Sequence, residues 1–125
     1  MKFLLDTHLL LWWLSNRPLL SARARQLVGD PANTIFVSAV SLWEVWLKSS
    51  IGKLRVPSGF VQKLAAEPFG SLPLRAEHTP DVAMLEWHHR DPFDRMLIAQ
   101  ARSENLILLT ADWALGAYGK LVRVA

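Results

Sequence analysis

Short strand-like runs alternate with longer amphipathic stretches along this chain of 125 residues. The clearest runs lie at residues 2–5, 34–37 and 106–110, where apolar or β-branched side chains follow one another over too few positions for a helix. Stretches with helical periodicity separate these runs. Such an alternation is typical of a parallel sheet whose strands are joined by crossover helices, so we predict an α/β fold.

Capping residues set the expected helix boundaries. Ser21 is a suitable N-cap for the second helix. Thr79-Pro80 and Asp91-Pro92 both combine a cap residue with proline at the first helical position. The predicted helices cover residues 7–14, 22–28, 38–51, 60–66, 80–87 and 92–105, and two further strands cover residues 72–74 and 121–124.

Composition narrows the class of protein. The chain is 51% hydrophobic, which excludes intrinsic disorder, and its length favours one domain over residues 1–125. No stretch approaches the roughly 20 apolar residues of a membrane span, and Asp6 and His8 interrupt any signal-peptide pattern. The absence of cysteine excludes disulfides, thiolate nucleophiles and sulfur-ligated metals. We therefore expect a cytoplasmic domain without a membrane partner.

Four acidic residues fall where a parallel sheet of this kind carries its active site. Asp6 ends the first strand, and Asp112 lies two residues beyond the strand that ends at Thr110. Asp94 is in the first turn of its predicted helix, and Glu44 follows the second strand by one or two turns. Ligands bind such folds outside the carboxyl ends of the strands, so we expect these side chains to lie near one another.

Each acid also has a structural interpretation. Asp6 and Asp112 could cap the helices that follow them, and Asp94 could be a first-turn acid favoured by the helix dipole. Ser41 and Glu44 have the spacing of a capping box if Ser41 is the cap. Four such caps on one sheet edge would be a larger coincidence than one shared function.

A cluster of carboxylates needs a counter-charge. Two carboxylates ~5 Å apart repel by about 3 kcal/mol at an effective dielectric constant of 20, so the group takes up protons or binds a hard cation. Oxygen ligands favour Mg²⁺, or alternatively Mn²⁺, over Zn²⁺. A carboxylate-held Mg²⁺ with open positions suits phosphoryl transfer.

The charge balance indicates a polyanionic substrate. The chain has 14 basic and 11 acidic residues, a net charge of +3. Without the four acids and Asp91, six acidic residues remain and the rest of the chain carries +8. An acidic site in a basic body is suited to a metal centre that attracts a polyanion.

Four sequence blocks together resemble a known family. They are Phe-Leu-Leu-Asp-Thr-His at residues 3–8, Ser-Ala-Val-Ser-Leu-Trp-Glu at 38–44, His-Arg-Asp-Pro-Phe-Asp-Arg at 89–95 with Ile98-Ala99, and Leu-Thr-Ala-Asp at 109–112. In this order, and over nearly the whole chain, they resemble the PIN-domain ribonucleases, and more narrowly the VapC-type toxins of bacterial toxin–antitoxin pairs.

The resemblance implies a fold, an activity and partners. It implies a three-layer α/β/α sandwich with a five-stranded parallel sheet, and Mg²⁺-dependent RNA cleavage by metal-activated water that leaves a 5′-phosphate and a 3′-hydroxyl. The family's four acidic positions match Asp6, Glu44, Asp94 and Asp112, which are therefore the expected catalytic and metal-binding residues. Asp91 is expected to be the N-cap of the Asp94 helix. The resemblance also implies a homodimer and a cognate antitoxin.

Two other functions compete with the nuclease. One is a receiver-like signalling domain that binds Mg²⁺ and accepts phosphate. Such domains need two acids after the first strand and a lysine after a late one, whereas Asp6 stands alone and residues 121–123 contain no lysine. The other is a catalytically inactive scaffold that only binds its partner, and the intact acid set argues against it.

Several residues near the acids have less specific signals. Of the six tryptophans, Trp13 and Trp46 are the ones we expect at an interface with a second subunit or an antitoxin. Arg95, next to Asp94, could position phosphate or orient an acid. Thr7, Ser38 and Thr110 could each hydrogen-bond a carboxylate, a metal-bound water or phosphate, or could equally be capping or turn residues. Lys48 and the pair His88-His89 receive no assignment, because no spacing rule selects among them.

Overall fold

Five parallel strands form one sheet in the computed structural model, which describes residues 1–125. The strands are β1 Lys2–Leu5, β2 Thr34–Ser38, β3 Gly70–Leu72, β4 Ile107–Thr110 and β5 Val122–Val124. Their order across the sheet is β3-β2-β1-β4-β5, and every neighbouring pair is parallel. The predicted five-stranded parallel sheet is confirmed. Because the chain leaves β3 at one edge and re-enters beside β1 as β4, the strand order reverses at β1 and β4.

Six α-helices connect and cover the strands. They are α1 Thr7–Ser15, α2 Ala22–Gly29, α3 Ala39–Ser50, α4 Phe60–Ala65, α5 Thr79–Met84 and α6 Pro92–Glu104. Two 3₁₀ segments, Ala76–His78 and Trp113–Leu121, complete the chain. None of these helices combines the length and the hydrophobicity that a membrane-spanning helix requires.

The helices bury both faces of the sheet. Successive side chains of β1 point to opposite faces, so Phe3 and Leu5 pack with α1, α2 and α4, whereas Leu4 packs with α6. All three side chains are fully buried. This arrangement is the predicted three-layer α/β/α sandwich, and it places the end of β1 at the centre of the molecule.

Local capping residues determine most boundaries as predicted. The Ser21 hydroxyl accepts a hydrogen bond from the Ala24 amide at 3.0 Å, and the Asp91 carboxylate accepts one from the Asp94 amide at 3.0 Å. Both are the N-cap contacts expected for α2 and α6. Asp91 therefore has the capping role that the sequence predicts.

Three predicted boundaries are wrong. Thr79 does not cap α5, because the 3₁₀ segment runs directly into that helix and the Thr79 hydroxyl donates to the Ala76 carbonyl at 2.7 Å. That helix also ends at Met84 instead of residue 87. Strand β3 lies two residues earlier than predicted, since Pro73 follows Leu72 and has no amide hydrogen to extend the ladder.

The two tryptophans expected at an interface differ in their surroundings. The Trp13 indole donates to the Glu67 carboxylate at 2.9 Å and packs beside Phe69, so contacts within the chain account for its position. Trp46 is 48% exposed and packs edge-on against Phe60. An interface role for either residue stays a prediction.

Candidate metal centre

Asp6 leaves β1 at the middle of the sheet and is almost fully buried. One carboxylate oxygen caps α1 by accepting from the amides of His8 at 2.7 Å and Leu9 at 3.2 Å. The other accepts from the Thr110 hydroxyl at the end of β4, at 2.5 Å. The structural interpretation of Asp6 as a cap is thus correct, and its second oxygen is directed along the sheet edge.

Burial raises the pKa of Asp6 above its ordinary value, against the hydrogen bonds from Thr110, Leu9 and His8, which lower it. A carboxylate in this position is costly to ionise because low-polarity surroundings disfavour its charge. A cation nearby would stabilise the ionised form.

Glu44 lies in the second turn of α3 and is buried. The helix begins at Ala39 with Ser38 as its N-cap, so the capping box that would place the cap at Ser41 is wrong. The hydroxyl of Ser41, one turn before Glu44, accepts from Thr7 at 3.0 Å instead. Glu44 therefore does not take part in capping α3.

The two carboxylate oxygens of Glu44 have different surroundings. Oε2 forms an ion pair with Lys48, one helical turn further along α3. Oε1 is buried and has no hydrogen-bond partner. A buried charged oxygen without a partner is destabilising by about 1–3 kcal/mol or more, so this atom fits a site for a cation or a cation-bound water.

Asp94 lies in the first turn of α6 and completes a group of three carboxylates. One of its oxygens is 2.9 Å from Nε2 of His89. Its pKa is raised to about 6, first by burial and then by the negative charges of Asp6, Asp91 and Glu44, against the His89 hydrogen bond. The structure therefore brings together Asp6, Glu44 and Asp94, from β1, α3 and α6, with Asp91 beside them.

Asp112 lies at the same edge of the sheet, but its side chain is exposed whereas those of Asp6 and Glu44 are buried. Its carboxylate is exposed and accepts from the Ala114 amide at 3.1 Å, which makes it the N-cap of the second 3₁₀ segment. Its backbone amide donates to the Thr110 hydroxyl at 3.0 Å, the same hydroxyl that contacts Asp6. Asp112 is thus linked to the group through Thr110.

The donor set is suited to a hard cation, although the side chains do not close on one point. No three Asp, Glu or His side chains converge closely enough to hold an ion together. Direct coordination by three carboxylates would require rotation about their side-chain bonds or a bridging water. The excess of buried negative charge and the unpartnered Glu44 oxygen nevertheless favour a divalent cation over any neutral ligand.

Two contacts in this group were not assigned from the sequence. Lys48 follows Glu44 by four residues, a spacing that favours an ion pair on a helix and could have identified it. His89 reaches Asp94 from an irregular segment, for which no spacing rule exists. Only the structure identifies that contact.

Comparison with known proteins supports the assignment of the fold. A family model described as PIN domain matches residues 3–121. No curated protein matches the chain.

Solved structures with the same fold come from several bacteria. VapBC2 from Rickettsia felis, bound to a DNA fragment from its promoter, has a chain 18% identical to this one, with a TM-score of 0.73 and coverage of 99% of this chain and 98% of that chain. VapBC-1 from nontypeable Haemophilus influenzae gives 18% identity and a TM-score of 0.66, with 100% and 97% covered. VapBC-5 from Mycobacterium tuberculosis is 19% identical to this chain with a TM-score of 0.59, and the alignment covers 98% of this chain and 96% of that one.

Proposed function

The chain belongs to the PIN domain family, and from this premise we propose that it is a metal-dependent endoribonuclease, the toxin of a toxin–antitoxin pair. The observation that carries the proposal is the buried Oε1 atom of Glu44, which has no hydrogen-bond partner. The carboxylates of Asp6 and Asp94 lie near it and add further negative charge. Excess negative charge at the point where the strand order reverses is the feature that a catalytic cation would neutralise.

The proposed cation is Mg²⁺, with Mn²⁺ as the alternative. Asp6, Glu44 and Asp94 would hold it, and Asp112 would contribute from the rim. When bound, such an ion supplies a water activated for attack and stabilises charge on the phosphate. The chain's own residues prepare the ligands: Thr110 orients Asp6, and His89 orients Asp94.

RNA is the proposed substrate because of charge as well as family. Outside the acid group the chain has a large excess of Lys and Arg, which favours a polyanion. The same basic surface would bind DNA, so the assay compares RNA with DNA of the same sequence. We expect cleavage of single-stranded RNA and little cleavage of the DNA.

An RNase assay with Asp6→Asn tests the metal site. Asparagine caps helices as well as aspartate does, so the α1 cap and the fold are retained while the charge is lost. We expect no detectable cleavage by the variant and none by the wild-type protein in excess EDTA, with recovery on added Mg²⁺. Equal cleavage by Asp6→Asn, or full activity in EDTA, would refute the metal site.

Asp30→Asn is the matched control, because the Asp30 carboxylate also accepts a hydrogen bond from a nearby backbone amide. The Asp30 carboxylate accepts from the Ala32 amide at 2.9 Å in the turn before β2, at the opposite edge of the sheet. Asp30→Asn should cleave RNA like the wild-type protein. A chain that folds normally and binds its partner but never cleaves RNA would instead be the inactive scaffold.

Partner proteins are proposed from the similar structures. VapBC-5 is described as a member of the VapBC family of toxin–antitoxin systems, so we propose a cognate antitoxin for this chain. From the family resemblance we also propose that the chain forms a homodimer. Co-expression with the protein encoded next to this gene should suppress RNA cleavage, and sedimentation of the purified chain should give the mass of two copies. Uninhibited cleavage, or a monomer, would contradict the respective proposal.

A further inference from the structure

Arg95 is a buried cation without an acidic partner. It directly follows Asp94 on α6, is only 2% exposed, and forms no ion pair with any Asp or Glu of the chain. Burying an unpaired charge is costly unless many hydrogen bonds compensate it. The position of Arg95 therefore depends on what its guanidinium contacts.

The guanidinium contacts backbone carbonyls almost exclusively. One terminal nitrogen donates to the backbone carbonyls of Glu86 at 2.9 Å and His89 at 3.3 Å, and to the Tyr118 hydroxyl at 3.2 Å. The other terminal nitrogen donates to the carbonyls of Val82 at 2.9 Å and Leu85 at 3.3 Å. The indole ring of Trp87 covers the group, with its centroid 3.8 Å from the guanidinium carbon.

These contacts fix a segment that has no regular structure of its own. Helix α5 ends at Met84, and no helix or strand forms again before α6 begins at Pro92. The last carbonyls of a helix lack partners within it, and the planar fork of the guanidinium supplies donors to them. Because the accepting carbonyls extend from Val82 to His89, one side chain holds both ends of the segment.

His89 connects this segment to the acid group. Its Nδ1 accepts from the Arg90 amide at 3.1 Å, so in the neutral ring the hydrogen is on Nε2. Nε2 then donates to the Asp94 carboxylate at 2.9 Å. The carbonyl of the same residue is held by Arg95, so the imidazole is fixed both through its ring and through its backbone.

We propose that Arg95 is a positioning residue for Asp94, which acts by holding the segment that presents His89 to that carboxylate. The inference rests on the proposed function to the extent that Asp94 is a cation ligand. Residues that orient metal ligands through hydrogen bonds typically change metal affinity by about 10–100-fold when removed. Arg95 would act one step further out, through His89.

A double-mutant cycle tests this route with Mn²⁺ alone as the bound species. Mn²⁺ affinity is measured by electron paramagnetic resonance for the wild-type protein, Arg95→Met, His89→Ala and the double variant. We expect each single variant to weaken binding by roughly tenfold, and the double variant to be no weaker than the weaker single one. Additive losses would mean that Arg95 does not act through His89 and would overturn the proposal.

The matched control is Arg102→Met. Arg102 is on the same helix, is exposed, and makes no side-chain hydrogen bond. It should leave Mn²⁺ affinity unchanged. If Arg95→Met does not fold, Arg95→Lys takes its place, because lysine keeps the buried charge but cannot reach carbonyls at both ends of the segment.

The ring nitrogens of His89 give a readout that does not need a metal. In metal-free protein held at pH 8, ¹⁵N spectra should place the hydrogen of wild-type His89 on Nε2. They should show a mixture of tautomers in the Arg95 variant. An unchanged His89 spectrum would overturn the proposal, whereas a wild-type protein that shows the expected spectrum but binds no Mn²⁺ would contradict the proposed function alone.

Discussion

At the residue scale, Glu44 is subject to competing interactions. Its Oε2 is paired with Lys48, whose ammonium lies 5.5 Å from the centre of the Phe93 ring, while its Oε1 has no partner. Burial lowers the pKa of Lys48, but the Glu44 carboxylate, Asp91 and Asp94 raise it, and the net shift is upward. Lys48 is therefore a fixed positive charge that partly neutralises the acid group.

Replacing this charge should strengthen cation binding. In Lys48→Met the Glu44 carboxylate no longer shares its charge with an ammonium group, so we expect Mg²⁺ to bind roughly tenfold more tightly by isothermal titration calorimetry. Lys53→Met, in the exposed loop after α3, is the control and should have no effect. Weaker binding in Lys48→Met would indicate that the lysine is needed to orient Glu44.

The Thr110 hydroxyl links two of the predicted acids. It donates to Asp6 and accepts from the Asp112 amide, at the end of the strand beside β1. Thr110→Val keeps the shape of the side chain but leaves a buried carboxylate oxygen and an amide without this partner. We expect the free energy of unfolding in urea to fall by about 1–3 kcal/mol. Thr34→Val, at an exposed strand position, should change it by less than about 0.5 kcal/mol.

At the scale of elements, the sequence predicts a helix boundary correctly where residues close to it in the chain determine that boundary. The N-caps Ser21 and Asp91 lie where the sequence predicts them, because each side chain accepts a hydrogen bond from an amide only three positions further along the chain. The end of α5 at Met84 was not predictable, since its last carbonyls are held by Arg95, which is more than ten residues further along the chain.

The position of β3 depends on a contact of the same long-range kind. Gly70 pairs with Phe36 of β2, and a Cβ atom on Gly70 would lie 2.6 Å from the Phe36 ring. Because the aromatic ring occupies the space of the missing side chain, the strand begins at a glycine, a residue that strand propensity disfavours.

Gly70→Ala should therefore destabilise the sheet edge. The Phe36 ring must move to admit the methyl group, and overpacking of this kind costs about 1–3 kcal/mol, measured as a shift in the urea midpoint. Gly116→Ala is the matched control, because its added Cβ would meet its nearest neighbour at an ordinary 3.5 Å. Equal stability of the two variants would mean that Phe36 has room to move.

At the scale of the whole molecule, the sheet topology explains why the acids could be placed from sequence. Asp6, Glu44 and Asp94 are far apart in the chain, but each follows or flanks the carboxyl end of a strand, and such ends share one edge. What the sequence could not give is the direction of each side chain. Asp112 shares the edge, yet its carboxylate caps the adjacent 3₁₀ segment.

The grouped carboxylates make stability depend on pH in a defined direction. The pKa of Asp94 is about 6 in the folded chain, against 3.8 for an ordinary aspartate. The folded state thus holds this proton more tightly than the unfolded state does. The contribution of Asp94 to stability is full below pH 4, is lost as pH rises from about 4 to 6, and stays lost above that.

Replacing Asp94 with asparagine should prevent the loss of stability that ionisation of this side chain causes. Asp94→Asn should be as stable as the metal-free wild-type chain at pH 4 and more stable at pH 7.5 by about 3 kcal/mol, as measured by urea unfolding in EDTA. The comparison at two pH values cancels contributions from other groups that the two proteins share. A difference that is constant from pH 4 to 7.5 would mean that Asp94 does not titrate in this interval.

A divalent cation should recover the same stability in the wild-type chain. An ion that binds only the folded state stabilises it by mass action, so Mg²⁺ should raise the melting temperature at pH 7.5. At pH 5 the rise should be much smaller, because the ion must displace the proton that Asp94 still holds. Asp94→Asn, whose repulsion is already relieved, should respond weakly at both pH values. If the wild-type protein and this variant instead gain equally from Mg²⁺, the ion binds elsewhere on the surface and the carboxylates of this edge are not its ligands.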